Sequence, residues 1–461
     1  TNFGERKTQV TAFASDPGTI PGRDEFRGTG GSLYYLKRQD VSVGSERLRI
    51  EIRDRNTGVV LESSELHPQE DYDFDPFQGR VTLLRPLSSY ATTTETVRTG
   101  ASSGNIPVLV VRYEYSPAVG SLSGYTIGGR GTQWLGDLVR LGVTAQRETL
   151  DSADQTLIAG DAMLRLTAGT YLKAELAQTD GPGFGQSASI DGGLNFTDTA
   201  AVGLRGIKAK AWRTEGAVNI AELQKVSGDR GKIRGFYEHF DAGFSSVGRL
   251  MTSETERWGV GGNLPLGTTT DIVFAWDELA SADTGRSRTG TADLSHKLGV
   301  GLTGKLGLRL EDRVPNQLYN SVQSGRRIDA AVEIAYDDPS TNWGVHAFGQ
   351  GTLERDAGRL ANNRIGIGAK ATLTERLSAS GEASVGTGGL GLDLKLNHKL
   401  DTDSEAYVGY RLDADRTDIG LSPQNLFGQN ERGTFTVGAR RRFSDSLAMH
   451  GEQRLGHGGT A

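Results

Sequence analysis

Residues 302–311 read LTGKLGLRLE, and this stretch decides the fold class. Leucine or glycine occupies every second position, while Lys305, Arg309 and Glu311 lie between them. Successive side chains of a β-strand point to opposite faces, so a period of two predicts a strand with one apolar and one charged face. Such a strand fits between an apolar environment and a wet one.

The same alternation recurs in most of the chain after about residue 120. We count about nineteen such segments, each of roughly 10 to 14 residues, separated by Gly, Asp, Asn, Ser and Thr. Strands of soluble proteins average about 5 to 6 residues, whereas about 9 to 11 tilted residues cross a bilayer. We therefore expect apolar positions to face lipid, among them Val139, Leu141, Leu306, Leu308, Leu392, Leu394, Val408 and Tyr410. The positions expected to face a lumen include Arg140, Lys305, Arg309, Asp393, Lys395 and Arg411.

The links between segments alternate in length from about residue 250 onward. Tight turns on one side and long loops on the other are typical of a transmembrane β-barrel. The short links are 267–270, 337–342, 374–377, 401–405 and 444–447. The long links are 314–325, 354–363 and 416–431. The link 386–389 is too short for this scheme.

Composition permits a barrel and argues against other classes. The chain has 461 residues with 64 glycines and a net charge of -6. The mean hydropathy is -0.41, and no stretch approaches the roughly 20 apolar residues of a spanning helix, which excludes a helical membrane protein. The basic residues are scattered, so nucleic acid is not an expected partner. Cysteine is absent, which removes disulfides and thiolate chemistry and suits an oxidising envelope compartment.

The first part of the chain has a different pattern, with shorter alternating runs. Leu48, Ile50 and Ile52 alternate with charged residues, and turn residues then break the run. This pattern is typical of a compact sheet rather than of a lipid-facing strand. We divide the chain into an extension or linker at 1–24, a β-sandwich domain at 25–118 and barrel strands at 119–461.

Four stretches resemble a known family: FRGTGGSLYYLKRQDVSVGSERLRIEIRDRNTGVV (26–60), DYDFDPFQGRVTLLRPL (71–87), GDLVRLGVTAQRE (136–148) and FTVGARRRFSDSLAMHGEQRLGHGGTA (435–461). They are similar to very large outer-membrane proteins of Gram-negative bacteria, in which immunoglobulin-like or related β-domains precede a large C-terminal barrel. The resemblance implies an outer-membrane location, with membrane lipid and lipopolysaccharide as surroundings and other envelope proteins as partners. That family typically continues for further strands and ends on an aromatic residue. We therefore expect the polypeptide to continue past Ala461, or a further chain to complete the wall.

Motifs of catalysis and cofactor binding give no site. Residues 299–305, GVGLTGK, fit a dinucleotide glycine pattern, but Leu306 stands where a phosphate loop needs Ser or Thr, and no helix follows. The seven histidines lack metal-ligand spacing, and neither HExxH nor GxSxG occurs. Asp71, Asp73 and Asp75 share one strand face, about 6 to 7 Å apart, which is too far to hold one calcium ion without a bend. We predict no catalytic, cofactor or metal site, and no enzyme.

Two groups of residues have expected positions in a barrel. Arg440 and Arg442 should face the lumen near a membrane interface. The candidates for aromatic girdles at the lipid boundary are Trp134, Tyr171, Trp343, Tyr410 and Phe443.

The leading hypothesis is an all-β protein, a β-sandwich followed by a large antiparallel barrel. Barrels of 16 to 18 strands already leave an aqueous channel, so about nineteen or twenty strands predict a lumen too wide for the wall's own side chains to fill. The barrel would serve as a surface scaffold or wide pore, with the lumen hydrated or filled by its own domain or by a partner. The alternatives are a soluble or surface-exposed adhesin, which should show a repeat of about 20 to 50 residues, and a membrane hydrolase, which needs a nucleophile with a base in reach.

Overall fold

The computed structural model describes residues 7–16, 18–54, 57–88, 95–99, 105–116, 124–150, 154–181, 186–198, 207–246, 249–316, 323–401, 403–413, 433–444 and 447–457. The predicted long link 416–431 and half of 314–325 lie outside this part of the chain. No helix in the described part is long and apolar enough to span a bilayer.

The structure is built almost entirely of strands. In chain order these are β1 (Thr8–Ser15), β2 (Ile20–Arg27), β3 (Leu33–Tyr35), β4 (Arg47–Arg53), β5 (Val60–Glu65), β6 (Tyr72–Asp75), β7 (Arg80–Leu83), β8 (Ile106–Tyr115), β9 (Gly124–Leu135), β10 (Val139–Leu150), β11 (Gln155–Arg165), β12 (Tyr171–Asp180), β13 (Gln186–Ser189), β14 (Thr197–Asp198), β15 (Lys208–Asn219), β16 (Lys232–Phe240), β17 (Ser245–Ser246), β18 (Arg249–Leu250), β19 (Thr255–Leu266), β20 (Thr270–Ser281), β21 (Gly285–Lys297), β22 (Leu302–Pro315), β23 (Gly325–Asp337), β24 (Trp343–Arg355), β25 (Arg364–Thr374), β26 (Leu377–Gly386), β27 (Gly389–Lys399), β28 (Ser404–Asp413), β29 (Gly433–Ser444) and β30 (Leu447–His457). One short helix, α1 (Ile220–Gln224), follows β15 and is capped by the Asn219 side chain.

Nineteen of these strands form one large antiparallel sheet that curves into a barrel. Consecutive strands are paired residue by residue; β21 and β22, for example, pair from Gly285↔Pro315 to Lys297↔Thr303. The register runs from β1 against β9 through every neighbour to β29 against β30. In the described residues no register joins β30 to β1. The large barrel-type sheet predicted from sequence is confirmed.

The first wall strand comes from a segment that sequence analysis leaves outside both domains. Residues 1–24 were expected to be an extension or linker, but Thr8–Ser15 forms β1 and pairs with the edge of β9 from Thr8↔Gln133 to Ser15↔Thr126. Backbone hydrogen bonding explains the difference, because β9 offers an unpaired edge that only another strand satisfies inside a membrane.

The strands have the two faces that the alternation predicts. Leu306 and Leu308 expose 54% and 53% of their surface on the outside, whereas Arg309 exposes 1%. Lys395 donates a hydrogen bond inward, from Nζ to Ser88 Oγ at 3.0 Å. This division agrees with energetics, since Lys or Arg at the bilayer midplane on the lipid face costs about 2 to 4 kcal/mol.

The aromatic prediction is correct for some positions and wrong for others. Trp343 and Phe443 are 46% and 53% exposed on the outer face. Trp134 instead points into the lumen, with the Arg165 guanidinium 4.2 Å from its ring centroid. Tyr171 shares its strand face with Lys173, whose amine pairs with a lumen carboxylate at 3.6 Å. An inward tryptophan is stable here because an arginine stacks on its ring.

Two smaller sheets account for the first part of the chain. One has the order β14-β13-β2-β8-β4-β5 and the other β3-β7-β6. A shared core of buried side chains joins them, and it includes Phe26, Tyr34, Leu48, Val81 and Leu109. Leu48 therefore faces this core and not lipid.

A segment between two wall strands completes the six-stranded sheet. Residues 181–198 follow β12, and their strand β13 pairs in parallel with β2 from Gln186↔Arg23 to Ser189↔Phe26. Sequence analysis assigns this segment to the barrel. It belongs to the small sheets because the edge of β2 provides its hydrogen-bonding partners.

Candidate functional site

The small sheets lie in the lumen of the barrel. We call residues 18–116 together with 186–198 the lumen domain. Its own core is apolar, but the residues that meet the wall are mainly charged or polar, and they contact inward-facing side chains from β21 to β30. This interface between domain and wall is the candidate functional site.

The segment 95–99 is one anchor of the lumen domain. The Thr96 amide donates to Asp293 Oδ1 at 2.8 Å, and the Arg98 amide donates to Gln350 Oε1 at 2.9 Å. The same Gln350 returns a hydrogen bond from Nε2 to the Arg98 carbonyl at 2.9 Å. Side chains of β21 and β24 therefore satisfy the backbone polar groups of this segment and hold it on the wall.

The Arg98 side chain strengthens this anchor. Its guanidinium lies 3.8 Å from the ring centroid of Phe348, and Nη1 lies 2.7 Å from Glu333. A second carboxylate, on Glu382, is 3.4 Å from Nη2. The Arg98 side chain thus contacts residues of β23, β24 and β26, and all three strands are far from Arg98 in sequence.

Arg309 makes a second anchor from the wall side. Its Nη1 lies 2.5 Å from Glu95 Oε2, and its Nη2 lies 3.8 Å from Asp54 Oδ2. Burial raises the pKa of Glu95 to about 7, although Arg309 acts to lower it and Asp54 acts to raise it. The domain therefore presents a carboxyl group whose charge changes near neutral pH.

Next to Arg309, the buried carboxylate of Glu311 forms ion pairs with four arginines. Glu311 lies 2.7 Å from Arg309, 3.0 Å from Arg313, 3.4 Å from Arg327 and 2.6 Å from Arg359. None of these side chains exposes more than 2% of its surface. Arg359 belongs to the link between β24 and β25, so this link folds back into the lumen. Removing one partner from a buried ion pair typically costs about 3 to 5 kcal/mol. Because all four arginines share Glu311, the stability of the cluster depends most on this residue.

The last wall strand holds the opposite side of the domain. Glu452 Oε2 accepts a hydrogen bond from the Ser32 amide at 2.7 Å, and the hydroxyl of Tyr407 also donates to it. A Cβ at Gly31 would lie 2.0 Å from Glu452 Oε1, so a larger residue there would displace this carboxylate. On the neighbouring strand, Arg442 is 3.6 Å from Asp73 of the domain.

Inside the domain, ion pairs hold its own strands together. Arg53 Nη1 lies 2.8 Å from Glu25 and its Nη2 lies 2.5 Å from Glu51, all three being buried. Burial alone would raise the pKa of Glu25, but Arg53 and Arg23 outweigh it and hold that pKa well below its usual range. The pKa of Asp24 is raised, because burial outweighs its hydrogen bonds to Ser187 and the Lys37 amide.

A cavity of about 950 Å³ remains between the domain and strands β26 to β29. It extends from Lys399, beside the short link 400–403, to Arg411 near the other end of β28. Its lining is polar and charged; charged members include Arg85 of the domain and Asp393, Lys395, Lys399, Arg411 and Arg440 of the wall. A smaller space of about 370 Å³ separates Val59, Val60 and Leu61 from β15, β16 and β19. A polar lining of both signs suits water and small hydrophilic solutes.

The residues considered for chemistry are found in structural positions. Asp71 accepts from the His67 amide at 2.9 Å, and Asp75 accepts from the Phe77 amide at 3.1 Å. Asp73 pairs with Arg442, which faces inward as predicted. Within the described ranges no group of three or more His, Cys, Asp or Glu could hold a metal ion.

Sequence reasoning missed the wall's partners in the domain. The alternation predicts that Arg309 faces the lumen, but nothing in its spacing indicates that Glu95 and Asp54 contact it. The sequence contained one signal of such contacts. Arg309, Glu311 and Arg313 are charged residues two positions apart on one strand face, and such charges can pair with each other or with a protein partner as well as face water.

Comparison with known proteins gives a limited result. No family model matches the chain, and no curated protein matches it. Among solved structures, the siderophore receptor PirA from Acinetobacter baumannii is 12% identical over 72% of this chain, with a TM-score of 0.35. PirA from Pseudomonas aeruginosa is 13% identical over 90% of this chain and 77% of its own, with a TM-score of 0.37. The copper transporter OprC is 10% identical over 71% of both chains, with a TM-score of 0.30. The chain spans 66% of the length of the first of these.

The architecture defines the class to which this chain belongs. Long antiparallel strands with an apolar outer face, curved around a polar interior, are the form of an outer-membrane β-barrel. The chain has the architecture of a large barrel of this type, with nineteen strands in its wall sheet.

Proposed function

We propose that this protein is a plugged outer-membrane channel, in which the lumen domain closes a pore that would otherwise be wide. The observation that carries the proposal is the set of contacts between domain and wall, since Arg98, Glu95 and Ser32 reach wall strands on opposite sides. A soluble adhesin, the alternative from sequence, does not fit the apolar outer face.

The size of the wall supports a closing role for the domain. Barrels of 16 to 18 strands enclose an aqueous channel, so a wall of 19 strands has room for one. The domain occupies that room, and the cavity of about 950 Å³ beside β26 to β29 would form part of a route past it. A small polar solute would pass there when the domain shifts.

The chemistry of the interface fits a domain that moves as a unit. The apolar core lies within the domain, around Phe26 and Leu109, whereas most wall contacts are ion pairs and hydrogen bonds. Water can replace polar contacts at modest net cost, about 0.5 to 1.5 kcal/mol for a typical hydrogen bond. The domain can therefore leave part of the wall without exposing its core.

A cysteine pair tests whether the domain closes the pore. The chain has no cysteine, and an ideal Cβ at Gly307 lies 2.7 Å from Thr96 Cβ, so Thr96→Cys with Gly307→Cys can form a disulfide after a shift of about 1 Å. We expect small, rare conductance steps in planar bilayers when the pair is oxidised.

The variant Arg98→Ala with Glu95→Ala should conduct more often or in larger steps, because it removes the anchor at 95–99. Asp337→Asn, at an exposed pair with Lys370, is the matched control and should behave as the unmodified protein. Equal conductance of all forms would contradict a closing role and favour the surface scaffold.

A further inference from the structure

A row of charged side chains crosses the outer face of five adjacent strands. We call it the outer ladder: Glu278 on β20, Arg288 on β21, Asp312 on β22, Arg326 on β23 and Glu354 on β24. The registers place neighbours directly opposite each other, as Glu278↔Arg288, Arg288↔Asp312 and Asp312↔Arg326. The row therefore alternates in sign along its length.

Ion pairs connect these members. Arg288 Nε lies 3.1 Å from Glu278, and Arg288 Nη1 lies 3.5 Å from Asp312. Arg326 pairs with Glu354. The side chains of Arg326 and Glu354 remain 47% and 59% exposed, so these contacts add little stability, typically about 0 to 1 kcal/mol for each pair. The exposure of Arg326 and Glu354 leaves hydrogen-bonding capacity for a further partner, while Arg288 and Asp312 are 35% and 29% exposed and Glu278 is nearly buried.

A β-bulge places the last member in the row. Alternation from Phe348, which faces the lumen, would also turn Glu354 inward. The register of β23 and β24 shifts between Ile328 and Asp329, which pair with Glu354 and Thr352 and leave Leu353 unpaired. This extra residue brings Glu354 to the outer face beside Arg326.

The outer ladder marks one edge of the apolar band. On these five strands the outward positions on the side of the short links are uncharged, as Ile328, Val332 and Ile334 on β23 illustrate. At the other edge, the rings of Tyr336 and Trp343 are in contact, with centroids 5.0 Å apart and planes tilted by 38°. From Ile328 to Tyr336 the strand rises about 26 Å, or roughly 20 Å along a barrel axis at a tilt of about 40°. These positions match the two interfaces of a membrane.

The ladder lies at the outer surface of the cell. Beyond it β22 and β24 continue into the long links 316–324 and 356–363, while β20 and β21 are joined by the short link 282–284; the aromatic pair lies at the opposite end, at the short link 338–342. Long links face outward in barrels of this type. The lipid beside the ladder is therefore that of the outer leaflet.

We propose that the outer ladder binds the phosphorylated headgroup of lipopolysaccharide. Guanidinium groups recognise phosphate by paired hydrogen bonds, which suits Arg288 and Arg326 and also Arg286 beside them. Carboxylate oxygens bind divalent cations, so the exposed Glu354 and Asp312 can bind a cation that bridges two phosphates. A row of alternating sign fits a lipid layer of alternating phosphate and cation. This proposal rests on the outer-membrane location of the barrel and does not depend on the proposed closure of the pore by the lumen domain.

The test uses the full chain purified in detergent, with lipopolysaccharide added as the probe. We expect the unmodified protein to retain it through purification in magnesium and to lose most of it in EDTA. Arg288→Gln with Arg326→Gln should weaken binding by about tenfold or more, corresponding to about 1.4 kcal/mol. Arg441→Gln is the matched control, because Arg441 lies against Phe443 near the short link of β29; it should bind normally.

Two outcomes would overturn the proposal. One is equal retention of lipopolysaccharide by the double variant and the unmodified protein. The other is equal retention of phosphatidylglycerol and lipopolysaccharide by the unmodified protein, which would reduce the ladder to a general anion surface. The EDTA experiment needs no variant and decides the role of the cation even where the double variant does not fold.

Discussion

The carboxylate of Glu452 accepts a hydrogen bond from the backbone amide of Ser32, 420 residues earlier in the chain, at 2.7 Å. The last strand of the wall and the first part of the lumen domain are therefore in direct contact. Tyr407 donates to the same carboxylate from the strand β28. This contact and the cluster at Glu311 hold the domain from two sides, and each can be tested separately.

Replacing Glu452 with alanine should loosen the domain. The Ser32 amide and the Tyr407 hydroxyl would lose their acceptor, and an unsatisfied buried donor typically costs about 1 to 3 kcal/mol. We expect faster proteolysis within residues 18–116 at unchanged barrel stability. Gln453→Ala, on the outward side of the same strand, is the control. Identical cleavage of both variants would show that the contact does not hold the domain.

Glu311→Gln should destabilise the protein strongly. Four buried arginines would lose their shared carboxylate, and an uncompensated buried charge costs about 3 to 5 kcal/mol. Urea unfolding in lipid vesicles measures the change. The control Asp337→Asn, at a pair with both side chains 60% exposed, should shift the free energy of unfolding by less than about 1 kcal/mol. If Glu311→Gln and Asp337→Asn shift the free energy of unfolding by similar amounts, water and not burial determines the energy of the Glu311 cluster.

Docking of the segment 95–99 should weaken as the pH rises. The Glu95 carboxyl titrates at about 7 when docked, against an ordinary value of 4.5, so the docked state binds the proton more tightly. Docking is then strongest below pH 4.5, weakens up to about pH 7 and stays constant above it. Glu95→Gln should flatten this dependence. Thermal unfolding of the lumen domain between pH 4 and 8 is the measurement, and parallel curves for both proteins would refute the assignment.

Gly31→Ala should separate the domain from the last strand. The added Cβ would lie 2.0 Å from Glu452 Oε1, and that carboxylate is fixed by two hydrogen bonds. Gly451→Ala on the same wall strand meets nothing within 4 Å and serves as the control. We expect accelerated proteolysis of the domain for the first variant only. If alanine is accepted equally at both positions, Glu452 moves aside freely.

The cost of placing a lysine on the outer face should depend on how deep its position lies in the membrane. Leu308→Lys lies within the apolar band and should cost about 2 to 4 kcal/mol of folding free energy in lipid, whereas Val314→Lys, beyond the outer ladder, should cost about 0 to 1. Folding titrations in vesicles distinguish the two. Equal costs would place the membrane elsewhere on the barrel.

Alternation along the strands was enough to predict the wall and its two faces. In LTGKLGLRLE the side of each residue depends only on its parity, and the structure places Leu308 outside and Arg309 inside. The strand β1 was missed because its pairing depends on the free edge of β9, and because Phe13 interrupts the short alternation in its residues TQVTAFAS. Trp134 was placed at the lipid boundary because its type is common there, but its parity and Arg165 put it inside.

The location of the lumen domain could not be predicted from local patterns. Leu48 and Ile50 indicate a compact sheet, but a compact sheet can lie inside or outside a barrel. The position of the domain inside the barrel depends on contacts between residues that are distant in sequence, such as Arg98 with Glu333 and Ser32 with Glu452. Such pairs leave no trace in spacing or periodicity.

The parallel pairing of β13 with β2 limits how the lumen domain can leave its position. The domain already joins the wall at both ends of residues 18–116, next to the wall strands β1 and β9, and residues 186–198 add a further connection because they lie between the wall strands β12 and β15. It cannot be expelled into the periplasm as a free unit while that pairing lasts. Assembly is also ordered by this arrangement: the sheet stays incomplete until β13 has been synthesised, so the domain reaches its final form only as the barrel forms around it.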